Sequence, residues 1–293
     1  PGCWINAVAP TEEERNFLIE QIGILPEFVK SSLDEEESSH IDYDDDFRQV
    51  LIIFDYPSAE NEDDDSIDST YSTLPIGIVI LKGYVVTISL YENWSILEMS
   101  QGRIKGVDTR LKTRFFLLLA LRISQRFLIC LRQIDRLSSR TETRLHQSVE
   151  NDELIEMLGL EKSLVYFSTS LKSDEVTLSK IMRGKQIQLY EEDEDLLEDV
   201  MIEIHQAIEM CNIYSNTMAG TMDTFASIIS NNMNIVMNKL TVITIVMAIP
   251  NIIFGFYGMN VQLPFPFVWF PSFAAILACV IATVYFFRHN MFK

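Results

Sequence analysis

The sequence predicts an α/β domain at the N-terminal end, followed by a helical region with a long stalk helix and by two membrane-spanning helices. Three observations lead to this prediction. The first hundred residues contain β-branched apolar runs, the chain from about 94 to 237 has a helical apolar period, and two uncharged apolar stretches lie near the C-terminal end. The predicted parts are an α/β domain at 1–105, a helical and stalk region at 106–237, and a membrane domain at 238–293.

Short apolar runs define the strands of the N-terminal domain. The β-branched run at 49–55 predicts a buried strand, and residues 4–8 predict a shorter one. Two further runs, 75–81 and 84–90, flank Lys82-Gly83, which is typical of a tight hairpin. A small sheet with helices around it is the simplest arrangement of these elements.

Polar segments separate these strands. Thr11 is predicted to begin a helix, because Glu14 stands three residues later and the two side chains can form a capping box. Residues 34–46 and 60–70 are rich in Asp and Glu, and both segments are predicted to be solvated loops.

Helical spacing continues through the middle of the chain. Residues 108–147 and 162–185 are predicted helices, and Gly159 either separates two helices or lies inside one. The segment 196–256 contains no proline before Pro250, and it predicts one helix of 61 residues, about 90 Å long. A compact domain does not need a helix of that length, so we expect a stalk that runs into a membrane.

Two stretches at the C-terminal end are long enough to cross a bilayer. Residues 240–256 and 267–287 carry no charged side chain, and a membrane helix needs roughly 20 apolar residues. A buried core hairpin is the alternative interpretation. It is disfavoured because cations flank the two stretches: Lys239 precedes the first, and Arg288 and Lys293 follow the second.

The same cations predict the orientation in the membrane. The connecting loop, 257–266, contains no charged residue. Because Lys and Arg concentrate on the cytoplasmic side of membrane proteins, both termini are predicted to be cytoplasmic and the loop external. The spans then anchor a large cytoplasmic region in a lipid bilayer.

Charge is distributed unevenly along the 293 residues. The formal net charge is −19, and no Asp or Glu follows Asp223. Residues 1–223 carry −22, whereas the last 70 residues carry +3 and are strongly apolar. Such an acidic chain repels phosphate backbones, so nucleic acid is not an expected partner, whereas divalent cations are plausible ones.

No catalytic or soft-metal constellation is visible. The four cysteines and four histidines are scattered, without the spacing of a zinc site or a disulfide framework. We therefore expect reduced thiols. The P-loop pattern GxxxxGK[ST] is absent, and no hydrolytic arrangement stands out, so an enzyme is not expected. No basic segment followed by an apolar core opens the chain, and a signal peptide is not predicted.

One face of the first span collects small and polar residues. These positions alternate at spacings of three and four, which aligns them as a single stripe on a helix. Polar groups are costly against lipid, so the stripe is predicted to face a bundle interior or a pore. Helix packing without conduction remains the alternative. The stripe consists of Asn234, Met237, Thr241, Thr244, Ala248, Asn251 and Gly255.

The loop between the spans begins with Gly258-Met259-Asn260, preceded by Phe254-Gly-Phe-Tyr. With an acidic α/β head, a long stalk helix, two C-terminal spans and a basic tail, this motif resembles the CorA family of magnesium transporters over essentially the whole chain. The resemblance implies a homopentamer in the inner (plasma) membrane, with five copies of the first span lining a Mg²⁺ channel. It also implies that Mg²⁺ is both the transported and the regulatory ion.

The resemblance assigns roles to individual residues. In the loop, Asn260 would meet the hydrated ion, while Gly258 and Met259 shape the turn. Along the span, Asn251 occupies a position that often carries threonine in the family, so an oxygen donor is kept but its geometry can differ. The other implied pore positions are Asp223 at the cytoplasmic entrance, Asn234 as a polar ring, Met237 and Leu240 at the constriction, and Gly255 as a pore-facing carbonyl, with Thr241, Thr244 and Ala248 between them.

A pore of neutral oxygens suits Mg²⁺. This ion sheds water reluctantly, so it can pass hydrated, held by weak and repeated contacts. The absence of acids after Asp223 fits weak binding. One departure concerns the loop after the motif, where family members often carry a glutamate that attracts cations to the outer mouth. Residues 261–267 contain no glutamate.

The resemblance also implies a gate. Family members close when cytoplasmic Mg²⁺ binds between protomers, partly through an acidic residue of the stalk. Asp199 matches that position, with Asp195 and Glu198 beside it, and Glu98 is a candidate partner on the head. Bound Mg²⁺ would relieve carboxylate repulsion and favour the closed state. A solvated acidic helix face is the alternative.

Two alternatives to a Mg²⁺ channel follow from the same sequence. One is a Zn²⁺, Co²⁺ or Ni²⁺ transporter on this scaffold. It is disfavoured because Met259 is intact and the stripe has no His or Cys, although Co²⁺ or Ni²⁺ remain possible cargo. The other is a membrane-anchored Mg²⁺ sensor that does not conduct.

Overall fold

The computed structural model describes residues 2–59, 70–147, 151–184, 187, 189–259, 267 and 269–289. The chain divides into two compact units, Pro1–Thr221 and Met222–Lys293. The first unit contains the sheet and its helices, and the second contains the apolar helices. The α/β head, long helix and C-terminal apolar helix that the sequence predicts are therefore confirmed.

The first unit is built on a five-stranded sheet. In spatial order its strands are β1-β5-β4-β3-β2, and only the β1–β5 pair is parallel. The predicted hairpin is confirmed as the antiparallel pair β4–β5. The strands are β1 (Cys3–Val8), β2 (His40–Asp44), β3 (Gln49–Ala59), β4 (Tyr71–Leu81) and β5 (Tyr84–Ser89).

Strand β3 lies between two apolar layers, one on each face of the sheet. Its residues alternate, so Leu51 and Ile53 pack in one cluster with Phe28, whereas Phe54 meets Phe116 on the other face at 5.9 Å between ring centroids. Both faces are covered, which explains the uninterrupted apolar run in this strand. The prediction of a buried strand at 49–55 is confirmed.

The helices of the first unit flank the sheet. Helix α1 (Glu12–Phe17) has the predicted capping box between Thr11 and Glu14, and it continues into a π-helical turn, Leu18–Ile22. The further helices are α2 (Pro26–Ser31), α3 (Trp94–Ser100), α4 (Lys112–Gln147), α5 (Asn151–Arg183) and the start of α6 (Glu191–Tyr257).

Two features differ from the sequence prediction. The acidic segment 34–46 is not wholly a loop, because β2 lies within it and pairs with β3. An edge strand is half solvated and can carry acidic side chains, so it shows no apolar signature. Helix α5 begins eleven residues before the predicted start at residue 162 and contains Gly159 in its interior. The second predicted acidic loop lies almost wholly outside the described residues.

The second unit contains the two helices that qualify as membrane spans. Helix α6 is 67 residues long and covers the predicted segment 196–256, and α7 (Phe270–Arg288) covers most of the predicted second span. Only 6% of the most apolar window of each helix is buried. A core helix of a soluble protein would be mostly buried, so these apolar surfaces fit a lipid environment.

Candidate functional site

The polar stripe of α6 is open to solvent in the isolated chain. Asn234, Thr241, Thr244, Asn251 and Gly255 are exposed. Met237 is 52% exposed and Leu240 is 55% exposed, while Ala248 is half-buried. The structure therefore places all of these positions on one helix, and Ala248 is less accessible than the others.

The opposite side of α6 meets α7. Tyr257 and Phe270 approach to 6.0 Å between ring centroids, and the thiol of Cys279 contacts the carbonyl of Val246. At 100° per residue, this side lies roughly 150° around the helix from the stripe. The stripe therefore faces away from α7. The positions on the α7 side are buried or half-buried: Ile235, Val242, Val246, Ile249, Ile253 and Tyr257.

The threonine hydroxyls of the stripe donate to their own helix. Thr241 Oγ1 donates to the carbonyl of Met237 and Thr244 Oγ1 to that of Leu240, both at 2.8 Å. The hydroxyl hydrogen is thereby used, and the oxygen lone pairs remain for other donors. Water around a cation turns its hydrogens outward. A surface of such acceptors suits a hydrated cation better than an anion.

The helix ends where the loop motif begins. The N–H of Gly258 donates to the carbonyl of Phe254 at 2.8 Å, and the N–H of Met259 donates to that of Phe256 at 3.3 Å. Met259 is 53% exposed. These bonds close the last turn of α6 and direct the chain out of the helix. Asn260, the third residue of the motif, lies outside the described residues.

The acidic candidates lie on exposed surface of α6. Asp195, Glu198 and Asp199 are solvent-exposed near its N-terminal end, and Asp223 is exposed within the second unit. Among the described residues, no three His, Cys, Asp or Glu side chains of one chain come together as a metal site.

The head-domain candidate Glu98 has a different neighbour. Its Oε2 lies 3.8 Å from Nε of Arg122 on α4, and its side chain is only 12% exposed. This ion pair ties α3 to α4, so a structural role accounts for the carboxylate. A role for Glu98 beside Asp199 stays a prediction.

A pair of buried aspartates was missed by sequence reasoning. The N–H of Asp55, on β3, donates to Oδ1 of Asp174, on α5, at 3.0 Å. Oδ2 of Asp174 is buried and has no hydrogen-bond partner within the part of the chain that the structure describes. Burial and then the neighbouring charge of Asp55 hold the pKa of Asp174 well above its usual value, and burial raises the pKa of Asp55 to about 6. The only sequence signal is that Asp55 ends a buried apolar run.

These features together fit a membrane protein with an acidic α/β head and a polar stripe on one of two apolar helices. Its family is recognised by comparison with known proteins. The chain belongs to the family described as CorA-like Mg2+ transporter protein, whose family model matches residues 2–289. The resemblance that the loop motif indicated is thereby confirmed, and the protein is a divalent-cation transporter of that family.

Individual relatives agree with this membership. The chain is 28% identical over 300 residues to the cobalt/magnesium transport protein CorA of Methanocaldococcus jannaschii, covering 98% of this chain and 90% of that one. It is similar to the complete structure of the CorA magnesium transporter from that organism, with a TM-score of 0.80 and 25% identity over 97% of this chain and 88% of the other. The full-length CmaX protein shares the fold alone, with a TM-score of 0.72 and 16% identity over 98% of this chain and 87% of that one.

Proposed function

We propose that this protein is a homopentameric channel that lets Mg²⁺ enter the cell down its electrochemical gradient. The observation that carries the proposal is the polar stripe of α6, which lies on the side away from α7. Five such stripes around a shared axis would enclose a pathway of amide, hydroxyl and carbonyl oxygens, with α7 outside. The membrane would be the plasma membrane, with both termini in the cytoplasm.

The chemistry of the stripe supports passage of a hydrated ion. Thr241 and Thr244 offer oxygen lone pairs, Asn234 and Asn251 offer amide oxygens, and Gly255 leaves its backbone approachable. Mg²⁺ loses its water slowly, so contacts through that water let it move faster than direct ligation would. The exposed carboxylate of Asp223 would concentrate cations at the inner entrance.

Closure would depend on cytoplasmic Mg²⁺. The exposed carboxylates of Asp195, Glu198 and Asp199 carry no ion pair among the described residues, so neighbouring copies brought together would repel. A divalent ion between two copies removes that repulsion. Because it binds the closed arrangement better than the open one, rising internal Mg²⁺ would shift the population towards closure.

Replacement of Asp199 by alanine should weaken this inhibition. Losing one ligand carboxylate per site should raise the internal Mg²⁺ concentration for half-closure by about tenfold or more, since losing even an outer-shell partner of a metal typically costs about 10–100-fold in affinity. Influx would be measured in proteoliposomes at graded Mg²⁺ on the cytoplasmic face. Glu209→Ala is the matched control, because it removes an exposed carboxylate from another face of α6. Equal inhibition in wild type and Asp199→Ala would remove Asp199 from the sensor.

Mg²⁺ influx into proteoliposomes containing the purified protein tests the function itself. An internal Mg²⁺ dye would report influx, with Co²⁺, Ni²⁺ and Zn²⁺ as competitors. Saturable Mg²⁺ influx supports the channel. Zn²⁺ entry without Mg²⁺ entry would identify the protein as a transition-metal transporter. Flux of neither ion through a folded oligomer would favour a non-conducting sensor. Co²⁺ is a further candidate cargo, because the relative from M. jannaschii is named for cobalt as well as magnesium.

A further inference from the structure

Proline interrupts the hydrogen-bond ladder of α6 inside the apolar segment. Pro250 lies within the helix and has no backbone N–H. In an α-helix the N–H of a residue donates to the carbonyl four positions earlier, so the carbonyl of Val246 loses its usual donor. In hydrocarbon no water replaces such a donor, and an unsatisfied carbonyl is costly.

Helix α7 supplies a donor to this carbonyl. Sγ of Cys279 lies 3.5 Å from the carbonyl oxygen of Val246, 33 residues away in the chain. Cys279 and Val246 are both half-buried and lie on the facing sides of the two helices. The two features are linked. Pro250 leaves the carbonyl of Val246 without its helical donor, and the thiol of Cys279 supplies another donor.

The interrupted turn lies directly below two positions of the polar stripe. Asn251 follows Pro250, Gly255 comes one turn later, and the helix ends at Tyr257. A helix bends most readily where its ladder is broken, so the segment beyond Pro250 can tilt relative to the segment before it. The contact with α7 opposes that tilt. A thiol is a weak donor, so the contact restrains the tilt less than an ordinary hydrogen bond would.

We propose that Cys279 is a positioning residue for the ion pathway: its thiol holds the Val246 carbonyl released by Pro250, and so orients the outer segment of α6. The consequence for conduction rests on the proposed function. The existence of the bond between the Cys279 thiol and the Val246 carbonyl does not depend on that function. Its loss lets the outer segment tilt, which misplaces Asn251 and Gly255 without removing any pore-lining group.

Two measurements on the full-length protein test the proposal. The first is the infrared S–H stretching band of Cys279, assigned by its disappearance in Cys279→Ala. A hydrogen-bonded thiol absorbs at lower frequency than a free one, and Pro250→Ala restores the N–H donor to Val246. We therefore expect a lowered S–H frequency in wild type that rises in Pro250→Ala, with no change at this band in the control Cys3→Ala, which alters an exposed cysteine.

The second measurement is Mg²⁺ influx in a double-mutant cycle. Cys279→Ala should lower influx by about twofold to threefold, the lower end of the range for one lost hydrogen bond, because a thiol is a weak donor. Cys279→Ser keeps a donor and should restore influx. In the Pro250→Ala background, where the carbonyl has its own helical donor, Cys279→Ala should have no further effect. Thermal unfolding of each variant checks that it is folded.

The outcomes separate this proposal from the proposed function. An S–H band at the free-thiol frequency, unchanged by Pro250→Ala, would overturn the bond. Additive flux effects of Cys279→Ala and Pro250→Ala would overturn the positioning role. If neither the wild type nor any variant conducts Mg²⁺, the channel proposal fails. The infrared result then still decides whether the thiol of Cys279 is bonded to the carbonyl of Val246.

Discussion

Replacement of Asn260 by alanine should reduce Mg²⁺ uptake to the level of protein-free vesicles while leaving assembly intact. The prediction rests on the Gly258-Met259-Asn260 motif and on family membership. Alanine keeps the backbone carbonyl and removes the side-chain amide oxygen, so the mouth loses half of the acceptors that Asn260 would offer to the water of a hydrated ion. A site that binds through hydrogen bonds discriminates strongly against loss of one partner.

Gln262→Ala provides the control for this experiment. It removes an amide from the same loop but outside the motif, so influx should persist. Size-exclusion chromatography would compare the oligomeric state of the two variants with wild type. Influx at the wild-type rate in Asn260→Ala would contradict the assignment of the loop as the selectivity element.

Replacement of Asp174 by asparagine should stabilise the first unit at neutral pH. The Asp55–Asp174 pair is buried, and no cation faces either carboxyl among the described residues. Burial raises the pKa of both groups, so the folded protein must hold a proton there or bear a buried charge. Asparagine keeps the acceptor for the N–H of Asp55 and carries no charge. We expect a gain of about 1–3 kcal/mol at pH 7.5.

The sign of the pH dependence follows from these raised values. The folded protein binds more protons than the unfolded chain once pH exceeds the ordinary aspartate pKa near 3.8, so the pair's contribution to stability falls as pH rises. For Asp55 the loss continues to about pH 6, where its folded-state pKa lies, and for Asp174 it extends higher. Below pH 4 the contribution of the pair is fully present.

Thermal unfolding of the full-length protein between pH 4 and 8 tests this prediction. The variant Asp174→Asn should lose less stability than wild type as pH rises. Asp42→Asn, which changes an exposed aspartate on the edge strand β2, serves as the control and should behave as wild type. An Asp174→Asn variant that is less stable than wild type at pH 7.5 would contradict the prediction.

Local signals made several elements predictable. The capping box at Thr11, the hairpin turn at Lys82-Gly83 and the buried run of β3 each depend on neighbours in sequence, and each appears in the structure. The edge strand β2 was not predictable, because its stability comes from pairing with β3 rather than from its own side chains. The boundary of α5 shifted for a related reason, since contacts with α4, such as the ion pair between Arg144 and Glu156, stabilise its polar first turns.

In the candidate site, too, features that depend on local sequence were predictable, and contacts between distant residues were not. The alternating positions from Asn234 to Gly255 could be recognised as one stripe, because helical geometry alone aligns them. Two contacts could not be foreseen. The pairing of Asp55 with Asp174 joins residues 119 positions apart, and that of Val246 with Cys279 joins residues 33 positions apart.

By itself the sequence determined the order of the parts, the two apolar spans, the polar stripe and the family, because each is encoded in composition, period or a contiguous motif. Only the tertiary structure decided that the stripe faces away from α7, that two aspartates share a buried position between β3 and α5, and that the Cys279 thiol meets the carbonyl released by Pro250. Each of these depends on which distant segments the fold brings within a few ångströms. Contact at that range is a property of packing, which no local pattern specifies.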